Sequence, residues 1–284
     1  MVLSEAKVIE LIEYGVSDQI SLARKKAKHR NMHVTGKGLV DYLETLDDYE
    51  TKAQKILRNK LAKSNRSNFS FILRPTDKIF TSKGGSENYN LPQKQKKYLK
   101  DNISQIADGL DIKKYLKKKV KKEYIIDPNG VVFVDIDEDG KLETYVIPTK
   151  EILWYSAKGN SVNAIIFEFY DKDREENDRL RFIQECNADG IGHNGKLPNG
   201  VYQKRKYFRV IDNETDRIFV IEDKRIDGTK PSKDISLEPN STISNYFGFV
   251  PALILGDTKD NNTGLFESVI EDLLDDADII LRRM

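Results

Sequence analysis

The chain reads as an α+β protein: N-terminal amphipathic helices packed on a twisted antiparallel β region, ending in an acidic amphipathic helix. Three observations predict that class. Apolar residues recur at helical spacing through the first third. Between about 124 and 255, short β-branched and aromatic runs alternate with turn residues. From Leu265 the apolar positions return to a three-four spacing, with carboxylates between them. The expected organisation is a helical part, 1–123, a β-rich part, 124–256, and the start of a further helix, 264–284.

Ser4 ahead of Val8, Leu11, Ile12 and Val16 predicts an N-capped amphipathic helix. Leu39, Tyr42, Leu43, Leu46, Tyr49, Ala53, Ile56, Leu57 and Leu61 continue the spacing through a longer second one. At Asn68 the pattern becomes extended through Phe80 and turns at Gly84 and Gly85. Another helix is expected from about Pro92 to Tyr124. Within it Lys113, Lys114, Lys117, Lys118, Lys119, Lys121 and Lys122 surround a narrow stripe of Ile112, Leu116 and Val120.

In the β region, Val131 to Val134 and Leu142 to Ile147 flank the acidic turn Asp137 to Gly140, a hairpin pattern. Strands are expected at 152–155, 164–170, 207–211 and 217–221, joined by charged or glycine-rich connections at 171–179 and 190–200. In the last helix Phe266, Val269, Ile270, Leu273, Ala277, Ile280 and Leu281 share one face. A stripe that long calls for a partner surface. Since no breaker follows, the chain is expected to be part of a larger protein.

Composition bounds the function. Lys+Arg 47 against Asp+Glu 46 leaves a net charge of +1, so charge acts only locally. One cysteine, Cys186, excludes an intramolecular disulfide framework and suits a reducing compartment. The sequence has no apolar run of the roughly 18–20 residues a membrane span needs, so a soluble intracellular protein without membrane partners is expected.

The motifs with chemical potential are incomplete. Asp135, Asp137, Asp139 and Gly140 imitate the start of a calcium loop, but Val146 occupies the closing position that needs a bidentate Glu. His29 and His33 have chelating i, i+4 spacing without a third ligand in view, and Cys186 and His193 stand singly. Ser4 and Lys7 lack the companion motifs of an acyl-enzyme site, and no glycine cluster carries a phosphate-binding fingerprint. The reading is therefore a non-enzyme without cofactor or metal. The lysine helix, with Lys113, Lys114, Lys117, Lys118, Lys121 and Lys122, is a candidate contact for nucleic-acid phosphates or for an acidic surface of another subunit. Phe266, Val269, Ile270, Leu273, Asp275 and Asp276 are the candidate subunit interface.

Several segments resemble one family. Residues Asn68 to Phe80 after an N-terminal helical pair, central antiparallel strands ending near Val220, and Phe247 to Ala252 followed by Gly264 to Leu274 are similar in order to the portal proteins of tailed bacteriophages, most closely those of crAss-like phages. Gly248, Pro251 and the helix from Leu265 match a glycine, apolar, proline strand that precedes a polar turn and an acidic helix. The resemblance implies the outer wing of a homo-oligomeric ring, a dodecamer, at one capsid vertex of the virion. Through it double-stranded DNA is packaged and ejected, and major capsid protein, terminase and neck or tail proteins attach to it. The family's stem, clip and crown have no counterpart in the sequence, so channel-lining residues are not carried over. The runner-up is an intracellular, non-sequence-specific nucleic-acid-binding or adaptor protein using the lysine helix. A nuclease-like enzyme with clustered carboxylates comes third.

Overall fold

The computed structural model describes residues 2–44, 51–57, 59–60, 92–106, 110, 112–136, 141–169, 201–226, 232–274 and 276–277. Its helices are α1 (Glu5–Tyr14), α2 (Asp18–Thr35), α3 (Leu39–Glu44), α4 (Gln93–Ile106), α5 (Ile112–Tyr115) and α6 (Lys121–Ile126), with a π-helical turn, Leu116–Val120, joining the last two. Residues 52–57 and 271–274 are also helical. The strands are β1 (Val131–Ile136), β2 (Leu142–Ile147), β3 (Ile152–Lys158), β4 (Ser161–Phe169), β5 (Val201–Ile211), β6 (Thr215–Ile226), β7 (Ser232–Leu237), β8 (Ile243–Ser244) and β9 (Ala252–Ile254). The mixture of helix with antiparallel sheet is α+β. Two compact units form, each discontinuous in sequence: Met1–Ser17 with Glu151–Lys158 and Val162–Val250, and Asp18–Lys150 with Gly159–Ser161 and Pro251–Met284. These units cut across the three consecutive stretches expected from the sequence.

In the first unit, β4 pairs with β3 and runs antiparallel to β5, with Ile165 opposite Ile211. The long β5–β6 hairpin is in register from Val201 opposite Ile226 to Ile211 opposite Asp216, and β7 and β8 add to β6. The successive residues Ala164, Ile165, Ile166 and Phe167 are all buried, so β4 is covered on both faces. Helix α1 covers one of them. Its Val8 and Ile12 pack with Leu153, Ala164, Ile166, Phe208, Val210 and Phe219. Burying each of those two side chains stabilises the unit by about 1.5–3 kcal/mol. Ser4 caps the helix as expected, its hydroxyl accepting from the Lys7 N–H.

Asp212 fixes both the hairpin turn and the chain start. One carboxylate oxygen accepts from the N–H groups of Glu214 and Thr215 and from the Thr215 hydroxyl, closing the turn. The other accepts from the Leu3 N–H at 3.1 Å and from Arg217 at 2.9 Å, while Arg217 donates to the Leu3 carbonyl at 2.7 Å. Burial works to raise the Asp212 pKa, but these N–H donors and the Arg217 charge outweigh it and hold it below the ordinary value.

In the second unit, β1 and β2 form the expected hairpin, from Val131 opposite Ile147 to Ile136 opposite Leu142; its tip, 137–140, lies outside the described residues. Strand β9 pairs along the other edge of β1, with Phe133 opposite Ala252. Helix α4 and the Tyr115 hydroxyl, which donates to the Thr144 carbonyl, both adjoin β2. Leu39 and Leu43 of α3 pack with Met32 and Tyr42.

Several expectations are corrected here. The helix expected from Pro92 to Tyr124 is broken at Leu110, which is a bend, and carries a π-helical turn further on. In the second expected helix, Ala53, Ile56 and Leu57 are exposed rather than core-facing, while Leu46, Tyr49 and Leu61 lie outside the described residues, as do the segment from Asn68 to Phe80 and the connections 171–179 and 190–200. The apolar Phe247 to Pro251 run is a turn rather than a strand, with the Gly248 N–H donating to the Asn245 carbonyl and Phe249 largely exposed.

Asp212→Asn replaces one acceptor oxygen with an NH2, so the side chain no longer accepts from all five of the donor groups now converging on the carboxylate. It is expected to lower stability by about 2–4 kcal/mol, read as a fall in melting temperature. Glu214→Ala, in the same turn and exposed, keeps its backbone N–H bond to Asp212 and is expected to have a much smaller effect on it.

Candidate functional site

The lysine-bearing segment differs from a regular helix in a way that matters for its surface. The Lys121 N–H donates to the Leu116 carbonyl, five residues back, instead of four. The turn is one residue wider, and its two ends, 115–116 and 120–121, are its covered part. Tyr115 and Lys121 are buried and Leu116 and Val120 half-buried, while Lys117, Lys118 and Lys119 form one uninterrupted exposed arc. Lys114 and Lys122 are exposed at either end, and the Lys113 side chain lies outside the described residues. Lys121 is therefore removed from the expected lysine face. Beside the half-buried Leu116 and Val120 of the expected stripe, Tyr115, Lys121 and Ile125 are buried, and the Ile112 side chain lies outside the described residues.

The C-terminal segment is corrected more deeply. Helix does not start at Leu265. Residues 265–267 instead fold back on 258–260: Lys259 bridges to Phe266, the Glu267 N–H donates to Thr258, and the Asp260 N–H to Leu265. Asp260 organises the turn between them, accepting from the Asn262 N–H and the Thr263 hydroxyl. Gly264 at φ 68 supplies a left-handed residue that few other side chains tolerate. Buried Asn129 then clamps Phe266, donating to its carbonyl at 2.9 Å and accepting from its N–H at 2.8 Å, so that this backbone is held as an extended strand would be. Gly256 closes the site from the other side. A methyl group there would overlap Phe266.

Helix follows at 271–274. Its apolar positions are covered by the chain itself: Ile270 and Leu274 are buried with Ile125, and Tyr124, Val34, Leu273 and Ala277 pack around them. Phe266 is likewise buried. Of the six candidate interface residues, Phe266 and Ile270 thus belong to the core of their own unit and Leu273 largely so, while Val269 and Asp276 are exposed. Asp275 lies outside the described residues.

Glu271 closes a buried ionic cluster that sequence reading missed. Arg30 of α2, fully buried, donates to Glu271 at 2.6 Å and to the Ile126 carbonyl at 3.2 Å, and Lys26 reaches the same carboxylate at 3.2 Å. Nearby, Asp127 accepts from the N–H and hydroxyl of Thr149 at 2.7 and 2.8 Å. The two carboxylates titrate in opposite directions. Burial raises Asp127 above its ordinary value despite the Thr149 bonds. Burial also works against ionised Glu271, but the Arg30 hydrogen bond and charge, with Lys26, outweigh it and hold Glu271 below the ordinary value. No protein-family model matches the chain, and no curated protein matches it.

The remaining candidates have structural surroundings. His33 is fully buried, its ring 4.8 Å edge-on from His29, which stacks in turn on Tyr42 at 5.2 Å. Asp135 accepts from the Tyr145 hydroxyl. Asp137, Asp139, Cys186 and His193 lie outside the described residues. Among the described residues no group of three His, Cys, Asp or Glu is placed to hold a metal ion, and no helix is long and apolar enough to cross a membrane. What the arrangement offers chemically is exposed charge of one sign on a helix, and a segment of the same unit carrying the other.

Glu271→Gln leaves the buried Arg30 guanidinium without its counter-charge. Because Glu271 is itself a quarter exposed, the expected loss is about 2–3 kcal/mol, below that of a fully buried pair. The sign with pH follows from the lowered folded-state value. Glu271's contribution is complete above its unfolded pKa and disappears as pH falls through its folded pKa. Chemical denaturation at a series of pH values is expected to show the wild-type advantage over Glu271→Gln shrinking steadily with acidification over that interval.

Proposed function

We propose that this chain is a ring-forming structural protein of the portal type, the wing portion of a conduit at one capsid vertex through which a phage genome is packaged and ejected. The observation that carries the reading is the order of segments resembling the portal family, from the N-terminal helices through the antiparallel strands to the Gly248–Pro251 run and the acidic segment after Gly264. An α+β architecture with its strands antiparallel is compatible with it. In this role the chain performs no catalysis. It repeats around an axis, by resemblance as a dodecamer, and presents surfaces to major capsid protein, terminase and neck or tail proteins, with duplex DNA passing through the centre.

A second reading is a non-sequence-specific nucleic-acid-binding protein. The exposed arc of Lys117, Lys118 and Lys119 favours it, because lysines without arginine or stacking aromatics contact phosphates and read no bases.

Light scattering and negative-stain imaging of the full-length protein separate the two. Closed rings are expected. A protein that stays monomeric at high concentration, and binds duplex DNA with an affinity falling steeply with salt, overturns the ring reading in favour of the second.

A further inference from the structure

We infer that the lysine arc is a docking surface for a second copy of this chain, and that the acidic segment around 267–276 of that copy is what it receives. The inference rests on the ring reading and names the contact by which one copy holds the next. It starts from the π-helical turn, which keeps Lys117 and Lys118 on the outside together, with Lys122 one turn further on. These three lysines are exposed and form no ion pair with the described residues, whereas Lys114 and Lys119 take part in contacts within the chain.

The complementary surface lies on the same unit. Glu271 is consumed by Arg30 and Lys26, but Glu267, Asp272 and Asp276 are exposed and likewise form no ion pair with the described residues. Between them Val269 is exposed as an apolar centre for a contact whose rim is charged. The two surfaces are held on a common base, since Tyr124 and Ile125 of α6 pack against Ile270, Leu273 and Leu274. Both are therefore presented by a fixed scaffold.

Charge complementarity selects the occupant. The whole chain, at net charge +1, supplies no long-range attraction to a polyanion such as duplex DNA. A second copy offers its acidic segment to this copy's lysine arc and keeps its own arc for the next copy. The contact is heterologous, patch to different patch, and such contacts propagate from copy to copy until a ring closes.

A charge exchange tests this. Lys118→Glu with Lys122→Glu makes both surfaces acidic, and Asp272→Lys with Asp276→Lys makes both basic. Each double variant is expected to self-associate more than about tenfold less tightly than wild type in sedimentation velocity, because like charges now face each other. Mixed in equal amounts, the two variants are expected to regain association, since each supplies the surface the other lost; the four-fold exchange within one chain is expected to regain it alone. Melting temperatures near wild type are expected for all variants, the altered residues being exposed. Three results overturn the inference: rings unaffected by either double variant; loss of association that neither mixing nor the four-fold exchange restores; or intact rings with loss of duplex-DNA retention on the lysine variant, which assigns the arc to nucleic acid. In the first and third the ring reading stands. A wild-type full-length protein that never associates removes that reading and this contact with it.

Discussion

The second unit is organised around one buried guanidinium. Arg30 has lost all contact with solvent, and an unpaired cation so placed would cost several kcal/mol. Its position is tolerable only because Glu271 and the Ile126 carbonyl converge on it. That requirement sets the geometry of three separate stretches. It fixes the rotation of α2, it fixes where α6 ends, and it demands that the chain after Gly264 deliver residue 271 to a particular point. A helix beginning at Leu265 is not what delivers it. The extended return through Phe266, locked by Asn129 and by the contact at Gly256, does so, and helix starts once Glu271 is in place. The apolar residues 270 and 274 then fall against Ile125 as a consequence of the ionic contact.

The first unit solves a similar problem with the same chemistry. Arg217 binds a carboxylate and a backbone carbonyl from a distant stretch, Asp212 and Leu3, as Arg30 binds Glu271 and Ile126. In both, the planar guanidinium satisfies two acceptors at once, and this suits it better than lysine for joining chain segments in a low-dielectric setting. Lysines, by contrast, are left at the surface of the π-helical turn, where a flexible hydrated ammonium is cheapest to keep. The division of labour between the two cations separates what holds each unit together from what it can offer to a partner.

What was legible in the sequence follows the same line. Strands with runs of apolar residues were readable, since their burial is set by hydrophobic pattern: 152–155, 164–169, 207–211 and 217–221 are all strand, and the 131–147 hairpin pairs as its turn residues imply. So was α1 with its Ser4 cap. Helix α2 was not, because its buried positions are Ile20, Ala23, Arg30 and His33, of which the last two read as surface. Asp127 and Asn129 stood in a Pro–Gly turn cluster, Asp127 to Gly130, that signals a tight connection; nothing local says that Asn129 will bind a backbone 137 residues away. The spacing of Phe266, Val269, Ile270, Leu273 and Ala277 predicts one helical stripe. Burial of Phe266 and Ile270 matches that period, yet the backbone between them is held by tertiary hydrogen bonds that periodicity cannot register.

The lysine segment shows why a small change of helical period carries functional weight. Composition alone places seven lysines between 113 and 122 and cannot say which are available. A regular helix would distribute them around its circumference and force some toward β2, where Tyr115 needs the space to reach Thr144. With the additional residue in the turn, 115, 116, 120 and 121 are its covered positions. The cost is one buried lysine, Lys121, and the result is a continuous exposed arc from 117 to 119. The turn is flanked by the buried Tyr115 and Ile125. The charged surface is thus a product of the core beneath it, and its shape is as fixed as that core.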